Sequence, residues 1–445
     1  MTYTRKPGQE RTYYEGDVDF DALAEKDPAF AAICNTSKQK RWIDFQDPNV
    51  VQQLTKSLLK SDFGLSLELP DDRLCPPVPV RWNYIRWIQE LLDTTSDTYS
   101  DRYDPKREVI GLDIGIGASC IYPLLACASR SEWRMAGTDI DQHSFDYARR
   151  NVESNGMNKR IKLTMSTPTG PLVPLEKLKL EELDFVMTNP PFYSSQEDMQ
   201  TSYIGKDAAP SAVCTGAENE MICAGGDVGF VTRIIEESRR LLERVQWYTA
   251  MLGKLVSLQQ VVTKLKEIGI TNFAVTTLHA GFKTKRWAVA WSFQDYRPRN
   301  DVARHGELVL AVLPLPTAQT IVLTETKAVS IGQKVNETLK GLDVKWRWRA
   351  SASEGVMEAR ENVWSRAARR KRQMGQAGKV AVDNPAIIRD QDSDKDGSED
   401  EEPVALAVEI KCEDGAVQIR WLRGVDHAVF TSFSGMLKRT LTIGT

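Results

Sequence analysis

The feature that most restricts the fold of this chain is an apolar run that ends in a glycine-rich turn. Residues 109–114 read VIGLDI, which predicts a buried strand, and Gly115 and Gly117 follow it. Glycines allow a ligand to approach the backbone closely. The next residues, 120–125, are compatible with a helix. Because Gly115-x-Gly117 lacks the third glycine of the dinucleotide fingerprint, this turn alone would match many α/β proteins.

A second apolar run, about twenty residues further on, ends in an acid. Residues 133–138 read WRMAGT and precede Asp139, which is placed to accept hydrogen bonds from ribose hydroxyls. Asp141 is the alternative acid, but it stands near the start of an amphipathic helix pattern over residues 140–152, and acids favour helix starts. The order strand, glycine turn, helix, strand, acid predicts the nucleoside-binding half of an α/β sheet.

A third motif, N-P-P-F at residues 189–192, follows the short apolar run 183–188. Prolines cannot continue a strand ladder, so the motif stands at the carboxyl end of a strand, where ligands bind in open α/β sheets. The Asn189 carboxamide oxygen and a proline-fixed carbonyl can accept both hydrogens of the exocyclic amine of adenine, while Phe192 or Tyr193 stacks on the base. A plain strand-ending turn is the alternative, because Asn-Pro and Pro-Pro are common in loops.

Together these motifs resemble those of class I S-adenosylmethionine-dependent N6-adenine methyltransferases. Over residues 15–295 the chain is similar, more narrowly, to the eukaryotic U6 spliceosomal RNA N6-adenine methyltransferases, and bacterial large-subunit ribosomal RNA adenine methyltransferases share parts of the pattern. The stretches that carry the similarity are residues 77–85, 115–125, 247–254 and 286–293. The resemblance implies an α/β, Rossmann-like fold with a seven-stranded mixed sheet that ends in an antiparallel hairpin.

The resemblance also implies a cofactor, S-adenosylmethionine, and roles for individual residues. Arg81 is expected at the methionine carboxylate of the cofactor and Asp139 at its ribose, while residues 166–167 flank its adenine. The implied cofactor-binding residues are Arg81, Gly115, Ser119, Asp139 and Asn189. The implied catalytic residues are Asn189, Pro190, Pro191 and Phe192. Because the sulfonium makes its methyl group electrophilic, alignment with the amine suffices, and neither a metal nor a covalent intermediate is required.

Basic residues in two places are candidates for RNA contact, since phosphate contacts provide much of the affinity for nucleic acids. The candidates are Lys283, Lys285 and Arg286 in a predicted hairpin turn, and Lys40 and Arg41 near the N-terminus. Solvated charges in a turn are the plainer interpretation of the first group. Residues 194–229 directly follow the N-P-P-F motif and show little apolar periodicity, which predicts a long loop that covers the target adenosine.

The net charge of −3 conceals an uneven distribution. Residues 390–402 hold eight acids and one lysine, a local charge of −7, so the rest of the chain carries +4. A run this acidic and poor in apolar residues predicts disorder. The cluster RAARRKR at 366–372 is a candidate nuclear-localisation or RNA-binding patch, with an exposed helix end as the alternative.

We expect three parts in the chain. Residues 1–75 form an N-terminal helical extension that completes an RNA groove, 76–300 the methyltransferase domain, and 303–445 a small α+β domain interrupted by a disordered acidic insert at 374–402. In the last part, strands are predicted over 307–313, 320–326, 344–349, 404–410 and 416–421, and helices over 331–342 and 432–440. Its order of elements resembles the RNA-binding domain of animal members of the family, and a protein-binding module is the alternative.

Two classes of function remain open: a nuclear enzyme that methylates adenosine N6 in a structured RNA, with U6 favoured over ribosomal RNA or DNA, and an inactive RNA-binding scaffold. The combination of Gly115, Asp139 and the motif at 189–192 favours the enzyme, because RNA binding alone does not need it. No apolar stretch has membrane-spanning length and the N-terminus lacks a signal-peptide core. Seven cysteines without zinc spacing indicate reduced thiols in an intracellular protein, which we expect to be a monomer.

Overall fold

The computed structural model describes residues 12–37, 40–204, 216–280, 284–324, 327–365, 368 and 403–442. The chain groups into two compact units: unit 1 comprises Met1–Gln294 and Asp301–Pro314, and unit 2 comprises Asp295–Asn300 and Leu315–Thr445. The predicted insert at 374–402 and the basic cluster at 366–372, apart from Ala368, lie outside the described residues. Within the described parts of the chain, no helix combines the length and apolarity needed to cross a bilayer.

Unit 1 begins with helices and a short hairpin. The elements are α1 (Phe20–Lys26), α2 (Pro28–Ile33), β1 (Asn35–Ser37), β2 (Lys40–Trp42) and α3 (Pro48–Phe63). The Asp19 side chain caps α1, and Pro28 is the first residue of α2, a position that proline suits. α3 ends at Gly64, whose left-handed conformation suits glycine. Phe30, Leu58 and Leu59 are buried in one core cluster with the next helix.

The other elements of unit 1 alternate between helices and strands. In chain order they are α4 (Val78–Asp93), β3 (Val109–Ile114), α5 (Ile121–Ser129), β4 (Trp133–Asp139), α6 (Gln142–Ser154), β5 (Ile161–Met165), α7 (Leu175–Leu178), β6 (Leu183–Thr188), α8 (Gln196–Ile204), α9 (Glu218–Met221), α10 (Gly226–Leu241), β7 (Val245–Leu252), α11 (Leu255–Glu267), β8 (Phe273–Ala280), β9 (Thr284–Trp291), α12 (Asn300–Ala303) and β10 (Arg304–His305). This alternation is typical of an α/β fold with a largely parallel sheet.

These strands form one mixed sheet in the order β10-β8-β9-β7-β6-β3-β4-β5. Strands β5, β4, β3, β6 and β7 are parallel, and β8 and β9 form the antiparallel hairpin that the sequence predicted. The predicted seven strands are all present. An eighth, the two-residue β10, pairs in parallel with β8 at the sheet edge.

Helices cover both faces of the sheet, because successive side chains of a strand point to opposite faces. On β6, Phe185 and Met187 belong to the core cluster that includes α4 and α5, whereas Val186 belongs to the cluster that includes α10 and α11. A strand buried on both faces has no polar alternation, which explains the uninterrupted apolar residues Phe185, Val186 and Met187.

Unit 2 contains a five-stranded antiparallel sheet in the order β11-β15-β14-β13-β12. Its elements are β11 (Ala318–Val322), α13 (Ala328–Lys340), β12 (Lys345–Arg349), β13 (Glu354–Ala359), β14 (Leu406–Glu413), β15 (Ala416–Arg423) and α14 (His427–Thr442). α13 and α14 share a core cluster with the sheet through Ile331, Val335, Phe430 and Phe433. This is the α+β composition that the sequence predicted.

Three local predictions are wrong. Residues 307–313 contain no strand. They include a 3₁₀ turn at Leu310–Val312, in which Val312 N donates to Val309 O and Leu313 N donates to Leu310 O. The strand β13 was not predicted, because Gly355 interrupts its apolar pattern. The described parts of 194–229 include the helices α8 and α9 and the start of α10, rather than a continuous loop.

Candidate active site

Three parallel strands bring the sequence motifs together at their carboxyl-terminal ends, which we call the carboxyl edge of the sheet. β3 pairs with both β4 and β6, and Ile114, at the end of β3, is aligned with Thr138 and Thr188. The buried Thr188 hydroxyl also donates to Ile114 O at 2.8 Å. Consequently the glycine turn after β3, Asp139 at the end of β4 and Asn189 after β6 lie at the same edge.

The glycine turn has the conformation that only glycine adopts easily. Gly115 has φ +78° and Gly117 has φ +60°. A Cβ atom at Gly115 would meet nothing within 4 Å, so the backbone faces open space there. Gly115 N donates to Thr138 O at 2.9 Å, which fixes the turn to β4. Ser119 belongs to the connection between this turn and α5, and it is buried.

Asp139 and Asp141 have different environments. Asp139 is buried; its Oδ2 accepts from Gly117 N and its Oδ1 from Asp141 N, each at 2.9 Å. Burial raises the pKa of Asp139, while these backbone N–H groups act against the rise. Asp141 instead caps α6 through Ser144 N at 2.7 Å and pairs with Arg73 at 3.0 Å. Asp141 therefore serves a helix start and an ion pair, and Asp139 is the acid in contact with the glycine turn.

Arg81 lies on α4 and is buried. Its Nη1 donates to Tyr122 Oη at 2.8 Å and lies 3.2 Å from Met251 Sδ. Nearby, Asp113 is fully buried, and neither carboxylate oxygen has a hydrogen-bond partner among the described residues. Burial raises the pKa of Asp113 well above its usual range; the charge of Asp139 raises it further, and Arg81 lowers it. Sequence reasoning missed Asp113, although an acid inside a buried strand beside a glycine turn is a recognisable signal.

Asn189 holds an unpaired acceptor. Its Oδ1 is buried and has no hydrogen-bond partner among the described residues. Buried polar atoms are nearly always paired, so such an atom at the end of a strand calls for an explanation. Pro190 is buried, and Pro191 and Phe192 are half-buried.

The Phe192 ring is held by residues distant in sequence. A Cβ atom at Gly253 would lie 3.0 Å from Phe192 Cδ1, so only glycine lets the ring approach this backbone freely. Gly253 N donates to Asp227 Oδ2 at 3.0 Å, and Ser257 Oγ donates to Asp227 Oδ1 at 2.9 Å. The Arg286 guanidinium carbon lies over the Phe192 ring, 5.5 Å from its centroid. Sequence reasoning missed Gly253 and Asp227 as parts of this site.

The proposed RNA-contacting residues are distributed unevenly. Arg286 is half-buried beside Phe192, and burial lowers its pKa, as does the charge of Arg81. Lys285 is exposed, and its Nζ lies 3.9 Å from a carboxylate oxygen of Glu307. Lys283 lies outside the described residues.

The N-terminal pair lies on the β1–β2 hairpin. Lys40 is the first residue of β2, but its side chain is outside the described part of the chain. Arg41 is half-buried, and its Nε lies 3.5 Å from a carboxylate oxygen of Asp21 on α1. Of the five basic candidates, Arg286 is the one whose described contacts join it to the N-P-P-F motif.

Comparison with known protein families explains why these residues converge. Residues 4–295 match a family model described as RNA methyltransferase. The chain belongs to this RNA methyltransferase family. The predicted family is thereby confirmed, and the protein is an RNA methyltransferase. The predicted Rossmann-like methyltransferase fold and S-adenosylmethionine cofactor are confirmed by this match together with the solved structures described next.

Individual relatives define the similarity further. The U6 small nuclear RNA (adenine-(43)-N(6))-methyltransferase of Schizosaccharomyces pombe is 36% identical over 419 residues, which covers 93% of this chain and 98% of the relative. A crystal structure of the hMettl16 catalytic domain in complex with MAT2A 3'UTR hairpin 1 is 35% identical, with a TM-score of 0.57, over 65% of this chain and 96% of that one. The N-terminal domain of human METTL16 in complex with SAH has a TM-score of 0.52 at 35% identity, over 65% of this chain and 98% of that one.

Proposed function

We propose that the protein methylates N6 of an adenosine in U6 small nuclear RNA. The observation that carries the catalytic assignment is the buried, unpaired Asn189 Oδ1 at the end of β6. Leaving a buried acceptor unpaired costs about 1–3 kcal/mol, and the amine of an entering adenosine offsets this cost. The second amine hydrogen is accepted by a proline-fixed carbonyl of Pro190 or Pro191. Phe192, or the adjacent Tyr193, stacks on the base.

The residues at the edge of β3 and β4 fit the cofactor. Gly115 faces open space, which leaves room for a ligand against the backbone, and the buried Asp139 carboxylate stands beside the same turn. In this assignment Arg81 holds the methionine carboxylate, Gly115 and Ser119 line the amino-acid end, and Asp139 holds the ribose. When bound, S-adenosylmethionine supplies an electrophilic methyl group. Asn189 holds the amine in line with it, so positioning is the main catalytic contribution of the protein.

The choice of U6 RNA is supported by the length of the match to the S. pombe enzyme. That alignment covers 93% of this chain and 98% of the S. pombe enzyme, whereas the match to human METTL16 covers 66% of this chain and 52% of that relative. We assign residues 1–75 to an RNA groove and residues 303–445 to an RNA-binding domain, with protein binding as the alternative. Arg286, Lys285, Lys283, Lys40 and Arg41 are the proposed phosphate contacts. From the proposed U6 substrate we propose the nucleus as the location of the enzyme, with the cytoplasm as the alternative.

The test is methyl transfer by the Asn189→Ala variant. With S-adenosylmethionine and synthetic U6 RNA, we expect the wild-type protein to form N6-methyladenosine and the variant to lose transfer at least a hundredfold, or about 2.7 kcal/mol of transition-state stabilisation. RNA affinity is expected to change less than about twofold, because phosphate contacts dominate it. The matched control is Asn158→Ala, since Asn158 is an exposed asparagine of the same unit.

The outcomes separate the parts of the proposal. Unchanged transfer by Asn189→Ala would reject Asn189 as the catalytic residue. Transfer to a ribosomal RNA fragment or a MAT2A hairpin, but not to U6 RNA, would reject the proposed substrate and retain the proposed chemistry. Mass spectrometry of the digested RNA locates the methylated adenosine.

A further inference from the structure

Glu220, a residue of the short helix α9, connects two parts of the site that are far apart in sequence. Its Oε2 accepts from Leu74 N at 3.0 Å and from Ala217 N at 2.9 Å. Its Oε1 lies 3.5 Å from the position that a Cβ at Gly117 would occupy. The carboxylate therefore lies beside the glycine turn and holds the segment before α9 against the segment before α4.

The position of Leu74 is itself fixed at the amino end of α6. The preceding residue, Arg73, donates from Nε to Ser144 Oγ at 3.0 Å and from Nη2 to Asp141 Oδ1 at 3.0 Å. Arg73 is buried, so solvent screens these contacts less than it screens surface ion pairs. Glu220 thus joins α9 to a segment that is itself hydrogen-bonded to the start of α6.

The residues after α9 contact the N-P-P-F motif. Tyr193 N donates to Met221 O and Cys223 N donates to Tyr193 O, each at 3.0 Å. At Gly226, which has φ +61°, a Cβ would lie 3.1 Å from Phe192 O. We call residues 216–226 the bridging segment, because it contacts the glycine turn through Glu220 at one end and the catalytic motif at the other.

We propose that Glu220 couples the binding of RNA to the binding of the cofactor by holding the bridging segment against Leu74. This inference rests on the proposed function, since it takes the pocket at Phe192 and Tyr193 as the adenosine site. An adenosine stacked there restricts the motif and, through the backbone bonds of Tyr193, the bridging segment. The Glu220 bonds transmit that restriction to the glycine turn, and linkage makes the effect reciprocal.

The same geometry assigns Glu220 a positioning role rather than a catalytic one. Both of its described hydrogen bonds go to backbone N–H groups, and they use a single oxygen. A glutamine can keep both bonds through its amide oxygen, whereas an alanine keeps neither. Charge and hydrogen bonding can therefore be separated by substitution.

The experiment measures by calorimetry the affinity of the protein for S-adenosylhomocysteine (SAH), with and without saturating synthetic U6 RNA. For the wild-type protein we expect RNA to tighten SAH binding by about fivefold or more, the lower range of typical coupling between sites. Glu220→Ala is expected to reduce this factor below about twofold, and Glu220→Gln to retain it. The matched control is Glu218→Ala, which removes an exposed acid from the same helix and should behave as the wild type.

Other outcomes overturn the proposal. Equal coupling in Glu220→Ala and the wild type excludes Glu220 as the link, and so does a variant that loses SAH affinity equally with and without RNA, because that marks a local role in the pocket. Loss of coupling in Glu218→Ala as well would show that helix α9 as a whole, not Glu220, is responsible. Methyl transfer to U6 RNA is assayed on the same samples. Coupling that depends on Glu220 without transfer would count against the proposed catalytic function and leave the coupling intact.

Discussion

Replacing Gly253 by alanine tests whether the position of the Phe192 ring limits catalysis. The added Cβ would lie 3.0 Å from Cδ1 and 3.4 Å from Cε1 and Cγ of Phe192. These contacts are closer than ordinary van der Waals separation, so the ring must move by a few tenths of an ångström. Gly253 does not have a positive φ, and alanine is therefore compatible with its backbone.

The expected size of the effect follows from this displacement. A misplacement of about 1 Å can reduce a rate about a hundredfold. A shift of a few tenths of an ångström in the stacking ring should therefore lower kcat/KM for RNA about three- to tenfold, or about 0.7–1.4 kcal/mol. Stability should change little, because Gly→Ala at a compatible position gains about 0.4–1 kcal/mol from the unfolded chain, which offsets the tight contact.

The assay is transfer of a labelled methyl group to U6 RNA under kcat/KM conditions, together with SAH affinity and the thermal midpoint. Gly16→Ala is the matched control, because a Cβ there meets nothing within 4 Å. SAH affinity should remain within about twofold of wild type, since Gly253 lies on the adenosine side of the site. Wild-type kcat/KM in Gly253→Ala, with an unchanged fold, would refute the argument that Phe192 must occupy its observed position.

Two further substitutions test the paired central strands β3 and β6, close to where they end at the site. Thr188→Val removes the 2.8 Å hydrogen bond to Ile114 O and keeps a similar side-chain volume. We expect the unfolding free energy to fall by about 1–2 kcal/mol in a denaturant titration, and methyl transfer to be slower in single-turnover kinetics. Asp113→Asn should stabilise the cofactor-free protein at pH 8. Burial raises the pKa of Asp113 above its ordinary 3.8, so ionisation of the buried carboxyl lowers the unfolding free energy of the wild-type protein only above that pH. The stability gained by Asp113→Asn should therefore vanish as the pH falls towards 4. A gain independent of pH would contradict this reading.

The sequence predicted those parts of the site that follow the carboxyl ends of strands. Gly115, Asp139 and Asn189 each come directly after an apolar run, and parallel strands place such positions at one edge. The antiparallel hairpin was predictable for a similar reason: residues 287–293 are rich in aromatic and β-branched side chains.

Contacts between distant segments were not predictable from these patterns. The approach of Gly253 to Phe192 spans about sixty residues and depends on the pairing of β6 with β7. Helix α8 was missed because its stabilisation is local: Asp198 accepts from Ser194 N at 2.9 Å, and Asp198 N donates to Ser195 Oγ at 3.1 Å. Such capping contacts give no apolar periodicity, which is the pattern that distinguishes a helix from a loop in a sequence.

The order of strands explains how one sheet serves two substrates. β6, which precedes Asn189, lies between β3 on one side and β7 on the other. The strands β3 and β4 end at the proposed cofactor residues, whereas β7 ends beside Gly253, and β9 carries Arg286 next to β7. Neighbouring strands are about 4.8 Å apart, so the proposed cofactor site and the proposed adenosine site are each within one or two strand spacings of Asn189. Transfer geometry is then set mainly by strand pairing, which is rigid. The bridging segment adds a connection made by a few hydrogen bonds instead of strand pairing, and this is why we expect Glu220 to affect coupling while Asn189 affects the chemical step.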